Sequence, residues 1–188
     1  IDWCFSRQPM FELTGKTLGI VGIGRIGQAV ARIAAAMGMK LIAHDLYFPT
    51  EDQLAGLEVR QVDMDTLFSE ADVISLHCPL TAENERLVNA HRLSQMKRSA
   101  LIINTSRGQL IDNHALADAL HTGEIAGASL DVLDTEPPTA DNPLLKAPNC
   151  TITPHIAWYA IEARARLLET AANNIAAYIA GEKQNQVN

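Results

Sequence analysis

The sequence predicts an α/β fold, a doubly wound parallel sheet with helices on both faces. Three observations predict it. Short apolar runs alternate with amphipathic stretches along most of the 188 residues, the pattern of strands covered by helices. A glycine-rich turn, Gly22-Ile23-Gly24-Arg25-Ile26-Gly27, joins the first apolar run to the first helical stretch. The second apolar run ends on an acid, Asp45. The length suits one domain, or one domain with an appendage.

The elements follow in order. Thr17 to Val21 reads as a strand. The helix after the glycine turn has apolar residues at Ile26, Ala29, Val30, Ile33 and Met37, one helical face, and Gly38 ends it. Lys40 to His44 is the second strand. Leu57 to Val62 is a short strand candidate, followed by a short helix around Asp65 to Ser69. Asp72 to His77 is a strand that Pro79 stops, because proline cannot continue a ladder. Asn89 to Met96 is a modest helix. Ala100 to Asn104 reads as a fully buried strand from its apolar run. Asp112 caps a helix facing inward through Ala115, Leu116, Ala119 and Leu120, with Gly123 at its end. Ile125 to Leu130 is a further strand candidate, and Thr135 to Pro148, with four prolines, is a loop. A long helix over about Ala157 to Ala180 carries Ile161, Ala165, Leu168, Ala172, Ile175 and Ile179 on one stripe. That stripe reads as core-facing, with contact to another subunit as the alternative.

Composition excludes several classes. With 15 basic and 22 acidic residues the formal net charge is −7, which argues against nucleic acid as a partner. A hydrophobic share of 47% against 20% charged excludes a disordered chain. No apolar run approaches the roughly 20 residues of a membrane helix. Cys4, Cys78 and Cys150 are too scattered for a disulfide framework or a zinc site, so a reducing cytoplasm is expected. The first residue is Ile1, and the chain reads as a fragment or a processed product.

The glycine turn is the strongest local signal. GxGxxG alone is weak. Here it follows a strand, opens a helix and precedes a second strand that ends in an acid, which is the dinucleotide fingerprint of a Rossmann-type fold. Gly22 permits the tight turn, Gly24 lets the backbone approach a pyrophosphate, and Gly27 allows close packing of helix on strand. The free N–H groups at the helix N-terminus face the phosphates. Asp45 lies where a carboxylate accepts hydrogen bonds from a ribose 2′-OH and repels a 2′-phosphate, so NAD is expected rather than NADP.

Three further segments carry chemistry. Arg107 follows a strand within Asn104-Thr105-Ser106-Arg107-Gly108. Asp131 and Glu136 follow the next strand. His155 precedes the long helix. Ligands of an open parallel sheet bind beyond the carboxyl ends of its strands, which places Arg107, Asp131 and Glu136 at the edge shared with Gly24 and Asp45. Reducing a carbonyl needs a proton donor, and histidine serves near neutral pH. A carboxylate such as Glu136 can fix its tautomer, and arginine can hold a substrate carboxylate. The residues alone leave the plainer readings open. An arginine at a strand end is often a surface ion pair, and a histidine after proline is often a loop residue. His77 and Cys78 are adjacent on an extended segment, are expected on opposite sides, and so make no metal pair. No metal site is expected.

Taken together, GKTLGIVGIGRIGQAVA, HCPLT, LIINTSRGQLID, SLDVLDTEPP, ADNPLL and TPHIAW resemble the D-2-hydroxyacid dehydrogenase family. DVLDTEPP, ADNPLL and TPHIAW are most similar to its glycerate dehydrogenase (hydroxypyruvate reductase) branch. The resemblance runs from about Phe5 to the C-terminus. It implies an NAD-dependent reductase of a small 2-oxo acid, hydroxypyruvate or glyoxylate. By resemblance Arg107 binds the keto acid, Glu136 pairs with the catalytic histidine, and His155 is that histidine. Asp131 resembles the residue holding the nicotinamide carboxamide, Arg25 and Ile26 the turn residues at the pyrophosphate, and Cys78, Pro79 and Thr105 residues lining the cofactor. It also implies a second domain, built mainly from an N-terminal third outside this sequence. The expected divisions are 1–13 as an N-terminal segment, 14–156 as the NAD-binding domain and 157–188 as a helix returning toward the substrate domain. Trp3, Phe5, Met10 and Phe11 suit a homodimer contact, or packing on the domain's own helix. The alternatives are a phosphoglycerate dehydrogenase-type enzyme and an NAD(H)-sensing, corepressor-like binding protein. Trp158 reads equally as a substrate-pocket residue and as a partner contact.

Overall fold

The computed structural model describes residues 10–187 and divides into two compact units after Thr153. The expectation for Trp3 and Phe5 falls outside the described residues, as does Cys4.

The first unit is built on seven strands in the order β3-β2-β1-β4-β5-β6-β7. They are β1 (Thr17–Val21), β2 (Lys40–His44), β3 (Arg60–Gln61), β4 (Val73–Leu76), β5 (Leu101–Asn104), β6 (Gly127–Leu130) and β7 (Cys150–Ile152). Every neighbouring pair is parallel. The chain runs outward from β1 to β3, then restarts on the other side of β1 with β4. The switch point of the sheet is therefore between β1 and β4. Register matters most for function. Val21 pairs with His44 and Leu76, Leu76 with Asn104, Asn104 with Leu130, and Leu130 with Ile152. Six strands thus end in one row.

Helices cover both faces, as parallel strands require. On one side α3 (Met64–Glu70), α4 (Ala90–Gln95) and α5 (Asn113–Thr122) bring Leu67, Phe68, Leu93, Leu116 and Leu120 into a core with Ile74 and Ile102. Asp112 accepts from the His114 and Ala115 amides at the start of α5, and Gly123 closes it with φ +66°, so both ends of this helix are capped as its residues imply. On the other side α1 (Arg25–Ala36) packs on β1 and β2 through Ala31 and Ala34, beside Leu18, Ile20, Leu41 and Ala43.

The face that α1 buries differs from the apolar face read in the sequence. Ile26, Ile33 and Met37 are exposed, while Gly27, Ala31 and Ala34 meet the sheet. Small residues let the helix lie close on its strands, and the larger apolar row is left outward. The same sparse cover explains β5. Ile102 and Asn104 are buried, but Leu101 and Ile103 are only partly so, because they lie at the margin of the α1 core.

Four short elements were not expected, two of them single 3-10 turns at Gly108–Leu110 and Pro143–Lys146. Helix α2 (Glu51–Leu54) is one turn closed by a capping box between Thr50 and Gln53, a T-x-x-Q pattern visible in the sequence. Strand β7 is three residues long; its apolar content is too thin to register as a strand before its pairing with β6 is seen. The third strand is shorter than Leu57 to Val62, and Arg60 there forms an ion pair with Glu70.

The second unit contains α6 (Ile161–Ile179). It begins four residues later than expected. Taken by itself this helix buries only Ala177, and Ile161, Leu168, Ile175 and Ile179 are exposed. The stripe is therefore not a core face within its own unit. Among the described residues no helix is long and apolar enough to cross a membrane.

Candidate active site

Because six strands end in register, the residues that follow them stand side by side: Gly22, Asp45, His77, Thr105, Asp131 and Thr153. Backbone bonds carry the alignment past the strand ends. Gly22 donates to the His44 carbonyl at 2.9 Å, His77 to Val21 at 2.7 Å, Asp131 to Asn104 at 2.9 Å and Thr153 to Leu130 at 2.9 Å.

The glycine turn is shaped by close backbone approaches. Gly22 has φ +94°, and a Cβ there would come within 2.6 Å of the Cys78 amide nitrogen. A Cβ on Gly27 would overlap the Gly22 carbonyl oxygen, whereas one on Gly24 would meet nothing within 4 Å. Gly24 is the N-cap of α1 and supplies no side-chain cap, and the first turn holds no acid. The helix therefore presents its unpaired N–H groups and positive end to open space, which fits a phosphate. Asp45 braces this turn. Its Oδ2 accepts from the Ile23 amide at 2.8 Å and its Oδ1 from the Tyr47 amide at 2.9 Å. The fingerprint acid thus orders the glycine turn itself. Ile26 is exposed beside it.

A cleft of about 560 Å³ opens at the switch side, bordered by His77, Cys78, Pro79, Leu80, Ser106 and Arg107. A larger hollow of about 970 Å³ lies by Thr17, Lys40 and Glu70 at the opposite ends of the strands, away from the glycine turn. His77 and Cys78 border the same cleft. The strand ends at Leu76, and the His77 amide still pairs with the Val21 carbonyl at 2.7 Å. His77 Nε2 meets Ser75 Oγ at 2.9 Å, and burial pushes this imidazole below its ordinary value, toward the neutral form. Burial, with the Asp45 charge added, raises the Cys78 thiol, which favours its protonated form. Asn84 Nδ2 donates to the Pro79 carbonyl at 2.8 Å and holds that turn.

The Arg107 loop is held by residues that sequence reasoning passed over. Asn104 is fully buried. Its Nδ2 donates to the Arg107 carbonyl at 2.8 Å and its Oδ1 accepts from the Ser106 amide at 2.9 Å. Ser106 Oγ reaches the Cys78 carbonyl at 2.6 Å, tying this loop to the neighbouring one across Thr105. The available signal was an asparagine closing an otherwise apolar strand, since a buried amide needs partners. Gly108 was also missed. A Cβ there would overlap the Leu133 carbonyl and the Asp134 amide, so the Arg107 loop lies directly on the loop that bears Glu136. Gln109 Nε2 donates to the Asp134 carbonyl at 3.0 Å. Glu136 Oε1 accepts from the Leu133 amide at 2.9 Å. Asp131 is buried and accepts from Thr153 Oγ1 at 2.5 Å. Arg107 and Glu136 are thereby brought onto one edge with Asp131, Asp45 and the glycine turn.

His155 belongs to the second unit. It has φ +54°, and its carbonyl accepts from Trp158 Nε1 at 2.8 Å.

An open parallel sheet with a phosphate-ready helix start at its switch point, and an acid closing the second strand, defines a dinucleotide-binding domain. The comparisons with known proteins agree and go further. The family described as D-isomer specific 2-hydroxyacid dehydrogenase, NAD binding domain, matches residues 2–157. A hydroxypyruvate reductase of Blautia hydrogenotrophica is 49% identical over 187 residues, which cover 100% of this chain and 58% of that protein. Among solved structures, a protein from Thermus thermophilus aligns with a TM-score of 0.89 at 42% identity, covering 99% of this chain and 58% of that one. An NAD-complexed D-isomer specific 2-hydroxyacid dehydrogenase of Lactobacillus delbrueckii ssp. bulgaricus aligns with a TM-score of 0.84 at 36% identity, covering 95% of this chain and 57% of that one. The chain belongs to the D-isomer specific 2-hydroxyacid dehydrogenases, as their NAD-binding domain, and it spans little more than half the length of the relatives it matches.

Proposed function

We propose that the protein carrying this chain reduces a small 2-oxo acid with NADH, hydroxypyruvate or glyoxylate being the substrates that fit best. The observation that carries this reading is the seating of Gly108 against the Leu133–Asp134 backbone. It joins Arg107 and Glu136 on the edge where the glycine turn and Asp45 hold the dinucleotide. In this reading the turn residues Gly22 to Gly27 hold the pyrophosphate, and Asp45 holds the ribose and disfavours a 2′-phosphate. Cys78, Pro79 and Thr105 line the cofactor, and Asp131 orients its carboxamide. Arg107 binds the keto acid through its carboxylate and polarises the adjacent carbonyl. His155 gives a proton to the carbonyl oxygen while Glu136 holds its far nitrogen and stabilises the imidazolium. The hydride that the 2-oxo carbon takes up is what bound NADH supplies.

A homodimer completes the proposal. The outward apolar row Ile26, Ile33 and Met37 on α1, with exposed Met10 and Phe11, supports it. A cytoplasmic setting suits the sparse cysteines. The test is steady-state reduction of hydroxypyruvate and glyoxylate by the full-length protein beside its Arg107→Ala and His155→Asn forms. Activity with NADH that either substitution lowers by about 10²-fold or more is the expected result. Full activity in His155→Asn would overturn the assignment of the proton donor.

A further inference from the structure

We propose that Trp158 is a positioning residue for His155, fixing the backbone that carries the imidazole. The inference rests on the reading of His155 as proton donor. The structure holds four observations that bear on it. His155 sits at φ +54°, a region that L-residues other than glycine seldom occupy and that persists only when neighbours hold it. Pro154 precedes it with a ring-locked φ, so the chain entering His155 has little freedom. Trp158 Nε1 donates to the His155 carbonyl at 2.8 Å, which closes the segment leaving His155. The Tyr159 amide reinforces that turn by donating to the Ile156 carbonyl at 2.9 Å.

The indole is itself anchored. Its ring meets the Tyr159 ring edge-on, with centroids 5.3 Å apart and planes at 77°. The Arg164 guanidinium lies 4.7 Å from the centre of the Tyr159 ring. Arg164 stands in the first turn of α6, its amide bonded to the Ala160 carbonyl at 3.0 Å. A chain of contacts thus runs from the helix start through Arg164, Tyr159 and the Trp158 indole to the His155 carbonyl. The Trp158 N–H is a single donor, and it is spent on the one carbonyl whose direction sets the left-handed turn. Without it, the His155 backbone can relax toward the common regions, and the imidazole then swings away from the position it must hold for proton transfer. Misplacing a reacting group by about an ångström costs up to about 10²-fold in rate.

The deciding variant is Trp158→Phe in the full-length protein, because phenylalanine keeps an aromatic ring against Tyr159 and removes only the donor. The expected result is a fall in kcat of about tenfold, the weight of one hydrogen bond. KM for NADH should change less than about twofold, and the solvent deuterium isotope effect on kcat should rise as proton transfer becomes limiting. A merely structural tryptophan would lower thermal stability and leave the isotope effect unmoved, and that outcome overturns the proposal. Should Trp158→Phe fold poorly, the unmodified protein still decides. The indole N–H of Trp158 should exchange with solvent at least about tenfold more slowly than a free indole N–H, and a fast-exchanging N–H refutes the bond. His155→Asn separates this inference from the reading beneath it. If His155→Asn keeps full kcat, the proton-donor reading fails. If it abolishes turnover while Trp158→Phe keeps wild-type kcat and isotope effect, only the positioning role fails.

Discussion

Replacing Gly22 by alanine tests how the glycine turn is built. Two costs coincide at this position. Gly22 has φ +94°, and an L-residue forced to positive φ costs roughly 1–2 kcal/mol. The new Cβ would also stand 2.6 Å from the Cys78 nitrogen and 2.8 Å from Cys78 Cα and the His77 carbonyl carbon. To reach ordinary contact the two loops must part by about 0.8 Å, and overpacking of this kind costs about 1–3 kcal/mol. The neighbours cannot rotate away, since all three atoms are backbone and His77 is bonded to Val21 at 2.7 Å. The combined loss is about 3 kcal/mol or more. At about 2–4 °C per kcal/mol for a domain of this size, the melting temperature falls by about 6–12 °C. A thermal melt of the chain measures this, and an NADH titration followed by energy transfer from tryptophan measures the companion loss of affinity, about tenfold or more. A melting temperature within about 2 °C of the unsubstituted chain, with NADH affinity unchanged, would show that the turn tolerates a side chain here.

Gly108→Ala should destabilise the chain by about 3 kcal/mol in urea unfolding, because its Cβ falls on the Leu133 carbonyl; an unchanged midpoint would show that the two loops do not need their close approach. Asp45→Ala should weaken NADH binding by about 10- to 10²-fold, the value of a charge-assisted hydrogen bond, and should weaken NADPH binding less, as seen by parallel titrations. At acid pH, burial pushes the Asp72 carboxyl up, but the Thr17 amide and the Lys97 ammonium outweigh it and hold the group below its ordinary 3.8. The stability Asp72 contributes is therefore complete above about pH 3.8 and is lost as pH falls through the lower folded value. Asp72→Asn should flatten that limb of an acid-unfolding curve.

The turns and strand ends that carry the candidate residues were legible because they depend on local chemistry. The glycine spacing, the acid closing the second strand, and the Arg107, Glu136 and His155 segments are patterns within a few residues of one another, and each implies a turn or a strand end. The residues that hold those segments together were not legible. Asn104, Ser106, Gly108 and Gln109 act on partners 2 to 28 positions away, and nothing in a linear pattern names a partner.

The α/β class, the limits of β1 and β2, the caps of α5 and the family to which the chain is similar can all be read from the residues in order. These follow from hydrophobic period, capping residues and short motifs, which are properties of neighbouring residues. It takes the folded arrangement to show that α1 turns Ala31 and Ala34 inward and leaves Ile33 out, that β7 extends the sheet, and that Asp45 braces the glycine turn. Each of these depends on how closely two distant backbones approach. A helix with apolar residues on two faces can bury either one, and the small-residue face wins because it alone lets the helix lie flat on the strands.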